Sequence, residues 1–435
     1  MKKTNINAEK LIDRYRSELI KLLQELIKAK SVNPPGDEVN PANVLLEFFE
    51  KHGLKPRLYF STNYRANLYL EVKGSFQNPI LLLQGHLDTV PPGSDWKYDP
   101  FLAVIVNDRI YGRGAADMKS GLASMAMALV IAVENELIGS GVLKYCANAD
   151  EEMGGRQGVV WMIKNYPELL KANFAIVGEP TGSREAGKFI VIGEKGYLDL
   201  KIKVKGVKAH SSVPDYGVNA IIQAMKLLNQ LLKKRIKGST PYSKIQLYKE
   251  LWNSLKERYG TLGALRKIMS RRDKRTKALM KALFSNTISP GIITGGLKSN
   301  VVPDSCEVII NFRLLPGTTK EKVISYIKSL CRELDVSVDI EALEYHESSI
   351  LSGSVPEVEL LRNTAKEILG YKPPRIISPA FSDAAHLRNM LHIPAVQFGP
   401  GEANIAHAVN EYVEVQDLVT TTKIYLLFIA KYLST

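Results

Sequence analysis

The sequence predicts an α/β protein: a mostly parallel-stranded α/β domain with helices on both faces, interrupted by a ferredoxin-like α+β domain. Three observations lead there. Short, mainly apolar runs (Ile80–Leu83, Leu143–Ala149, Phe174–Val177) are spaced between long helical patterns, as strands covered on both faces are. From about residue 188 the texture changes to period-two alternation, in the order β, α, β, β, α, β. At 435 residues the chain also exceeds what one ordinary core organises. The expected division is 1–187, 188–346 with a basic helical insertion at about 235–286, and 347–435.

Taken in order, residues 8–30 place Leu11, Ile12, Tyr15, Leu19, Leu23 and Ile27 at helical spacing, and Pro34–Gly36 ends that unit. A helix is predicted over Pro41–His52, with strands at Arg57–Tyr59 and Ala66–Val72. After the central run at Ile80, a small-residue helix spans Leu122–Val133. Phe189–Gly193 and Tyr197–Val204 read as half-exposed antiparallel strands, and Asn219–Lys234 as a helix. The basic insertion carries two helical patterns. Its apolar face is Ile245, Tyr248, Leu251, Trp252, Leu255 and Tyr259. Strands return at Thr287–Thr294 and Val301–Leu314, then a helix at Lys320–Leu334 and a strand at Val336–Leu343. A helix at 356–370, a buried strand at Ala395–Phe398 and a helix at Val415–Leu433 close the chain.

Composition, with 45% hydrophobic and 24% charged residues, is that of a soluble globular protein. There is no run of 18 apolar residues and no signal-peptide pattern, so a cytoplasmic protein without a membrane span is expected. Cys146, Cys306 and Cys331 are scattered and imply neither a disulfide framework nor a cysteine metal site. The net charge of +13 is local: Lys233–Lys281 holds 16 Lys and Arg against Glu250, Glu257 and Asp273. The other 42 basic and 42 acidic residues balance. Docking on nucleic acid or anionic lipid is one reading of that segment, and a solvated helical face the more ordinary one.

The chemistry concentrates just past the strands. Ile80–Leu83 runs into Gln84-Gly85-His86-Leu87-Asp88, at the carboxyl edge where open α/β sheets bind ligands. His86 offers a metal ligand and Asp88 a carboxylate to hold its other ring nitrogen. Leu143–Ala149 ends in Asp150-Glu151-Glu152, three carboxylates that are costly together without a cation. Phe174–Val177 ends in Gly178-Glu179, and Asp117 stands in a glycine-rich turn before a helix. That turn is not a phosphate loop, because Arg113 and Met118 replace the required glycines. The three strand ends and Asp117 argue for one shared site.

These residues lie in stretches that resemble a known family. They are Gly85–Val90, Gly112–Gly121, Asp150–Glu152, Gly178–Thr181, Ala209–Ser212, Asn300–Asp304 and Ala406-His407, in order over nearly the whole chain. The family is the dinuclear zinc amidohydrolases and peptidases that include acetylornithine deacetylase, succinyl-diaminopimelate desuccinylase, aminoacylase and carboxypeptidase G. The resemblance implies two Zn²⁺ per chain, with Co²⁺ as a substitute. His86 and Glu179 would hold one and Glu152 and His407 the other, with Asp117 bridging. It implies Glu151 as general base, Asp88 orienting His86, and His210 donating to the oxyanion, in some relatives across a dimer. Asn300, Arg313 and Ser382 would contact substrate. Many relatives carry an acid where this chain has Asn311. The remaining histidines, His52, His346, His386 and His392, are expected to be structural.

The implied activity is hydrolysis of an amide bond in an N-acyl amino acid or short peptide. A metallo-carboxypeptidase or dipeptidase of the same family is the alternative. The 188–346 unit would be a lid through which a homodimer forms. An inactive scaffold that docks through its basic segment would have lost ligands or base. All of them are present, so nucleic acid is not the expected partner.

Overall fold

The computed structural model describes residues 8–434 except 185, 235, 237, 239–243, 271–280, 352 and 353. Helices α1 (Ala8–Lys28) and α2 (Val39–Lys51) lead into β1 (Arg57–Thr62), β2 (Arg65–Lys73) and β3 (Ile80–His86). Then come α3 (Lys119–Glu134), β4 (Val142–Asn148), α4 (Val159–Asn165), β5 (Phe174–Val177) and β6 (Ile190–Glu194). Next are β7 (Gly196–Lys205), α5 (Ala220–Lys233), α6 (Lys244–Ser270), β8 (Thr287–Gly295) and β9 (Ser305–Leu314). The order continues with α7 (Lys320–Leu334), β10 (Val338–His346), β11 (Ser349–Ile350) and α8 (Pro356–Leu369). It closes with β12 (Arg375–Ser378), α9 (Asp383–Leu391), β13 (Ala395–Gln397) and α10 (Val415–Tyr432).

A nine-stranded sheet runs β1-β2-β4-β3-β5-β13-β6-β11, with β12 also beside β6. Its centre, β4-β3-β5-β13, is parallel, and both ends carry antiparallel pairings, so the sheet is mixed. The apolar run in β3 is explained by burial on both faces. Leu81 and Leu83 enter a core shared with α1, α3 and α10, while Leu82 enters a second with Met162 of α4 and Leu387 of α9. Each such leucine contributes roughly 1.5–3 kcal/mol. The central strands therefore deliver His86 and the residues after β4 and β5 to one edge.

The second sheet has the order β8-β9-β7-β10, all antiparallel, with α5 and α7 on one face. Leu198, Leu200, Ile202 and Val204 alternate into its core, and this is the ferredoxin-like arrangement. Two expectations are corrected here. Phe189–Gly193 is not a half-exposed strand of this sheet, since β6 is buried throughout and pairs inside the large one. A strand is expected from Val301 but begins at Ser305, with Val301 reduced to a single bridge to His210.

The insertion helix α6 turns at Gly260, where φ is +69°. It packs onto the large core: Leu247 belongs to that core and Leu251 lies against it, Leu255 is buried as well, whereas Ile245 is 81% exposed. The expected apolar face is thus rotated, because acids share the docked side. Glu250 receives Arg375 Nε at 2.9 Å and Arg362 Nη2 at 3.2 Å, and Glu257 receives Lys366 Nζ at 2.7 Å. Between the two sheets, the buried Lys195 ammonium donates to the carbonyls of Ala282 (2.9 Å) and Ser285 (2.8 Å). Among the described residues, no helix is long and apolar enough to cross a membrane.

Candidate metal centre

Residues from five places in the chain converge at the carboxyl edge of the large sheet. His86 ends β3, Glu151 and Glu152 form a tight turn after β4, and Glu179 lies two residues past β5. Asp117 precedes α3, and His407 comes from the loop between β13 and α10. The two oxygens of Asp117 face different histidines: Oδ1 stands 3.2 Å from His86 Nε2 and Oδ2 stands 3.2 Å from His407 Nε2. On the first side Glu179 Oε1 lies 3.8 Å from His86 Nε2, and on the second Glu152 lies 3.1 Å from His407 Nε2. Three groups, His86–Asp117–Glu179, Asp117–Glu152–His407 and His86–Glu151–Glu152, each bring their ligand atoms within 4.8 Å of one another. Glu151 Oε2 is 3.9 Å from His86 Nε2.

The electrostatics match a cation site. Burial, then mutual repulsion, drives the Glu151 and Glu179 carboxyls well above their ordinary range, and burial raises Glu152 as well. Asp117 is also buried, but hydrogen bonding with the two imidazoles reverses that effect and holds it low. Glu179 Oε1 is buried and has no hydrogen-bond partner among the described residues. An orphaned carboxylate oxygen beside crowded acids and two imidazoles is a donor set suited to divalent cations such as zinc. The residues fit such ions.

Asp88 sits beneath this cluster. Its main-chain carbonyl is 3.0 Å from His86 Nδ1, and its carboxylate is 3.5 Å from the same nitrogen. The carboxylate accepts the backbone N–H groups of Glu151 (3.0 Å) and Glu152 (3.1 Å), so it pins the acidic turn as well as the imidazole. Asn33 donates to Asp88 at 2.8 Å and to Asp150 at 3.1 Å. Sequence reasoning missed that role, since Asn33-Pro34-Pro35 reads only as a helix break. Asp383, raised to about 7 by burial, takes a 2.6 Å hydrogen bond from Gln84 behind the cluster.

A cleft of about 500 Å³ opens beside the cluster, with Glu151, Glu152 and His407 on one wall and Tyr197, Arg313 and His346 on the other. The Arg313 guanidinium stacks 4.5 Å from the centroid of Tyr197, and among the described residues it has no ion pair. Asn311 lies nearby in β9 and donates to Asp199 at 2.7 Å. Of the expected structural histidines, His346 instead lines this cleft, packed on Phe381 with Nε2 3.0 Å from Glu344. Its place at the end of an alternating strand is the signal that marks it. His210 and Asn300 do not line the cleft. They lie together on an exposed part of the smaller sheet's unit, where Ser211 N–H donates to the Asn300 carbonyl at 3.1 Å. Ser382 Oγ is buried and donates to Glu194 at 2.6 Å, while its neighbour Phe381 lines the cleft.

The model of peptidase family M20/M25/M40 matches residues 82–431. A probable succinyl-diaminopimelate desuccinylase from Staphylococcus aureus (strain MRSA252) is 28% identical over 91% of this chain and 93% of the relative. A succinyl-diaminopimelate desuccinylase from Orientia tsutsugamushi (strain Boryong) is 26% identical over 94% of each. Among solved structures, the M20 family metallo-carboxypeptidase Sso-CP2 from Sulfolobus solfataricus superimposes with a TM-score of 0.75 at 26% identity, over 96% of this chain and 99% of that one.

Proposed function

The chain belongs to peptidase family M20/M25/M40, and on that footing we propose that it hydrolyses the amide bond of an N-acyl amino acid or short peptide. The observation that carries the reading is Asp117, which offers one oxygen to each of two histidine-and-carboxylate groups. His86 and Glu179 would hold one zinc ion, Glu152 and His407 the other, and Asp117 both, with cobalt able to substitute. When bound, such a pair supplies Lewis acidity, acidifying a water and polarising the scissile carbonyl.

The rest falls to the chain's own groups. Glu151, in the turn pinned by Asp88, takes the attacking water's proton and passes it to the leaving amine. Arg313 holds the substrate carboxylate in a two-pronged contact, its guanidinium pre-oriented on Tyr197. Asp88 fixes the His86 ring. His210 donates to the tetrahedral oxyanion. Because His210 is exposed and outside its own cleft, it would serve the site of a second copy in a homodimer. The exposed edge strand β8, with Ile292 and Ile293, and Ile222 and Met225 of α5 supply an apolar surface for that pairing. The desuccinylase relatives favour an N-acyl amino acid, and the carboxypeptidase relative keeps a carboxyl-terminal peptide residue as the alternative.

The test is a panel of N-succinyl and N-acetyl amino acids and dipeptides, assayed with zinc and with cobalt. Glu151→Gln should lower turnover by at least about 10²–10⁴-fold while both cations stay bound. Loss of a cation in that variant would make Glu151 a ligand and require another base.

A further inference from the structure

The two halves of the proposed metal centre are built differently. His86 closes β3 in register with Asn148, and Glu179 follows β5, so the first half is fixed by the sheet. His407 lies in a long loop and adopts a left-handed backbone, φ +64°, which costs a non-glycine residue roughly 1–3 kcal/mol unless its surroundings enforce it. Those surroundings centre on one buried side chain.

Arg113 is 2% exposed, and its guanidinium stacks 5.2 Å from the centroid of Trp96. Nη1 donates to Glu411 Oε2 at 2.5 Å and to the Ala408 carbonyl at 3.2 Å. Nη2 donates to the carbonyl of His407 itself at 3.2 Å and to those of Pro92 and Pro91 at 3.3 and 3.4 Å. Fully buried Glu411 turns its other oxygen to the backbone N–H groups of Ala116 (2.8 Å) and Asp117 (3.0 Å). One ion pair thus joins the backbone of the bridging carboxylate to the backbone of the loop histidine.

Resting on the metal-centre reading above, we propose that Arg113 and Glu411 are positioning residues for its second half. They set Asp117 and His407 at the separation that a cation shared with Glu152 requires; the His86–Glu179 half meets them only through the shared Asp117, its other two ligands being fixed by the sheet. Lysine cannot replace the arginine, because a single ammonium does not reach five acceptors spread over two loops.

The test is calorimetric titration of Zn²⁺ alone into the full chain after chelation, comparing the wild type with R113K and the isosteric E411Q. The wild type should bind two ions. Each variant should bind one ion about 10–100-fold more weakly, the loss typical when a ligand's supporting hydrogen bonds are removed, and the other, which shares only Asp117 with it, distinctly less so. Two unchanged ions in the variants, or equal weakening of both, would overturn the proposal. A wild type that binds fewer than two ions would instead sink the metal-centre reading beneath it. Should R113K not fold, E411Q decides: it keeps the side chain's size but turns an amide N–H₂ toward donors from which the carboxylate accepted, so one of the two anchors is lost.

Discussion

Gly121, in the first turn of α3, is one of two glycines, with Gly399, against which the backbone carrying Glu179 passes closely. A Cβ on Gly121 would stand 2.0 Å from the carbonyl oxygen of Gly178, a backbone atom that cannot swing aside. Gly121→Ala must therefore push the Gly178–Glu179 segment away from the helix and move Glu179 off its 3.8 Å approach to His86. We expect a destabilisation of about 1–3 kcal/mol, the usual cost of overpacking, together with weaker binding on the His86 side of the centre. Denaturant unfolding and zinc titration check the two parts, and wild-type behaviour in both would show that the segment has room to spare. At this scale, legibility in the sequence follows chain proximity. His86, Glu151, Glu152 and Glu179 are readable because each ends or follows a strand that announces itself. Asn33 acts across 55 residues on Asp88, and Arg113 across 298 on Glu411, and no periodicity or motif marks such pairs in advance.

The elements were mostly readable from their periods, and the departures have local causes. β6 is expected to be a half-exposed strand, yet its Ile190-Val191-Ile192 run is the mark of a buried one, and pairing with β11, β12 and β13 from distant parts of the chain sets it inside the large sheet. α6 buries Leu247 and Leu255 and leaves Ile245 and Tyr248 of the expected face exposed, and tertiary contacts set that rotation. Two of the three acids in the Lys233–Lys281 stretch, Glu250 and Glu257, meet basic partners near α8 and β12, and these fix which side faces inward. The insertion is therefore docked on the large sheet's unit rather than projecting from the small one. Glu250→Gln should cost about 2–3 kcal/mol, since charge-assisted bonds to Arg362 and Arg375 are lost at a largely buried position. The check is denaturant unfolding beside Glu257→Gln, which is more exposed and should cost less. Equal, negligible effects would mean that the leucines alone hold the helix.

At the scale of the whole molecule, the centre and its cleft lie between two sheets that share one chain, yet one residue of the proposed machinery sits elsewhere. His210 is exposed on the smaller sheet's unit, hydrogen-bonded locally with Ser212 at 2.7 Å, and it does not line the cleft beside Glu151. The resemblance gave it a role, in some relatives across a dimer, but whether this loop reaches its own site or a neighbour's depends on assembly geometry. β8 is an edge strand whose hydrogen-bonding side faces solvent, interrupted by Pro290 and a register shift, and Ile292 and Ile293 are both more than half exposed. A two-fold pairing along that edge would carry each His210 away from its own subunit and toward the other. Complementation separates the cases. Glu151→Gln and His210→Ala should each be nearly inactive as pure preparations. Mixed and allowed to exchange subunits, they should recover about a quarter of wild-type turnover: half of the dimers are mixed, and each mixed dimer has one site with Glu151 intact and His210 supplied by its partner. No recovery despite exchange, verified by tagging one variant, would mean that His210 serves its own cleft after a movement of the lid, and a fully active pure His210→Ala would mean that it serves neither.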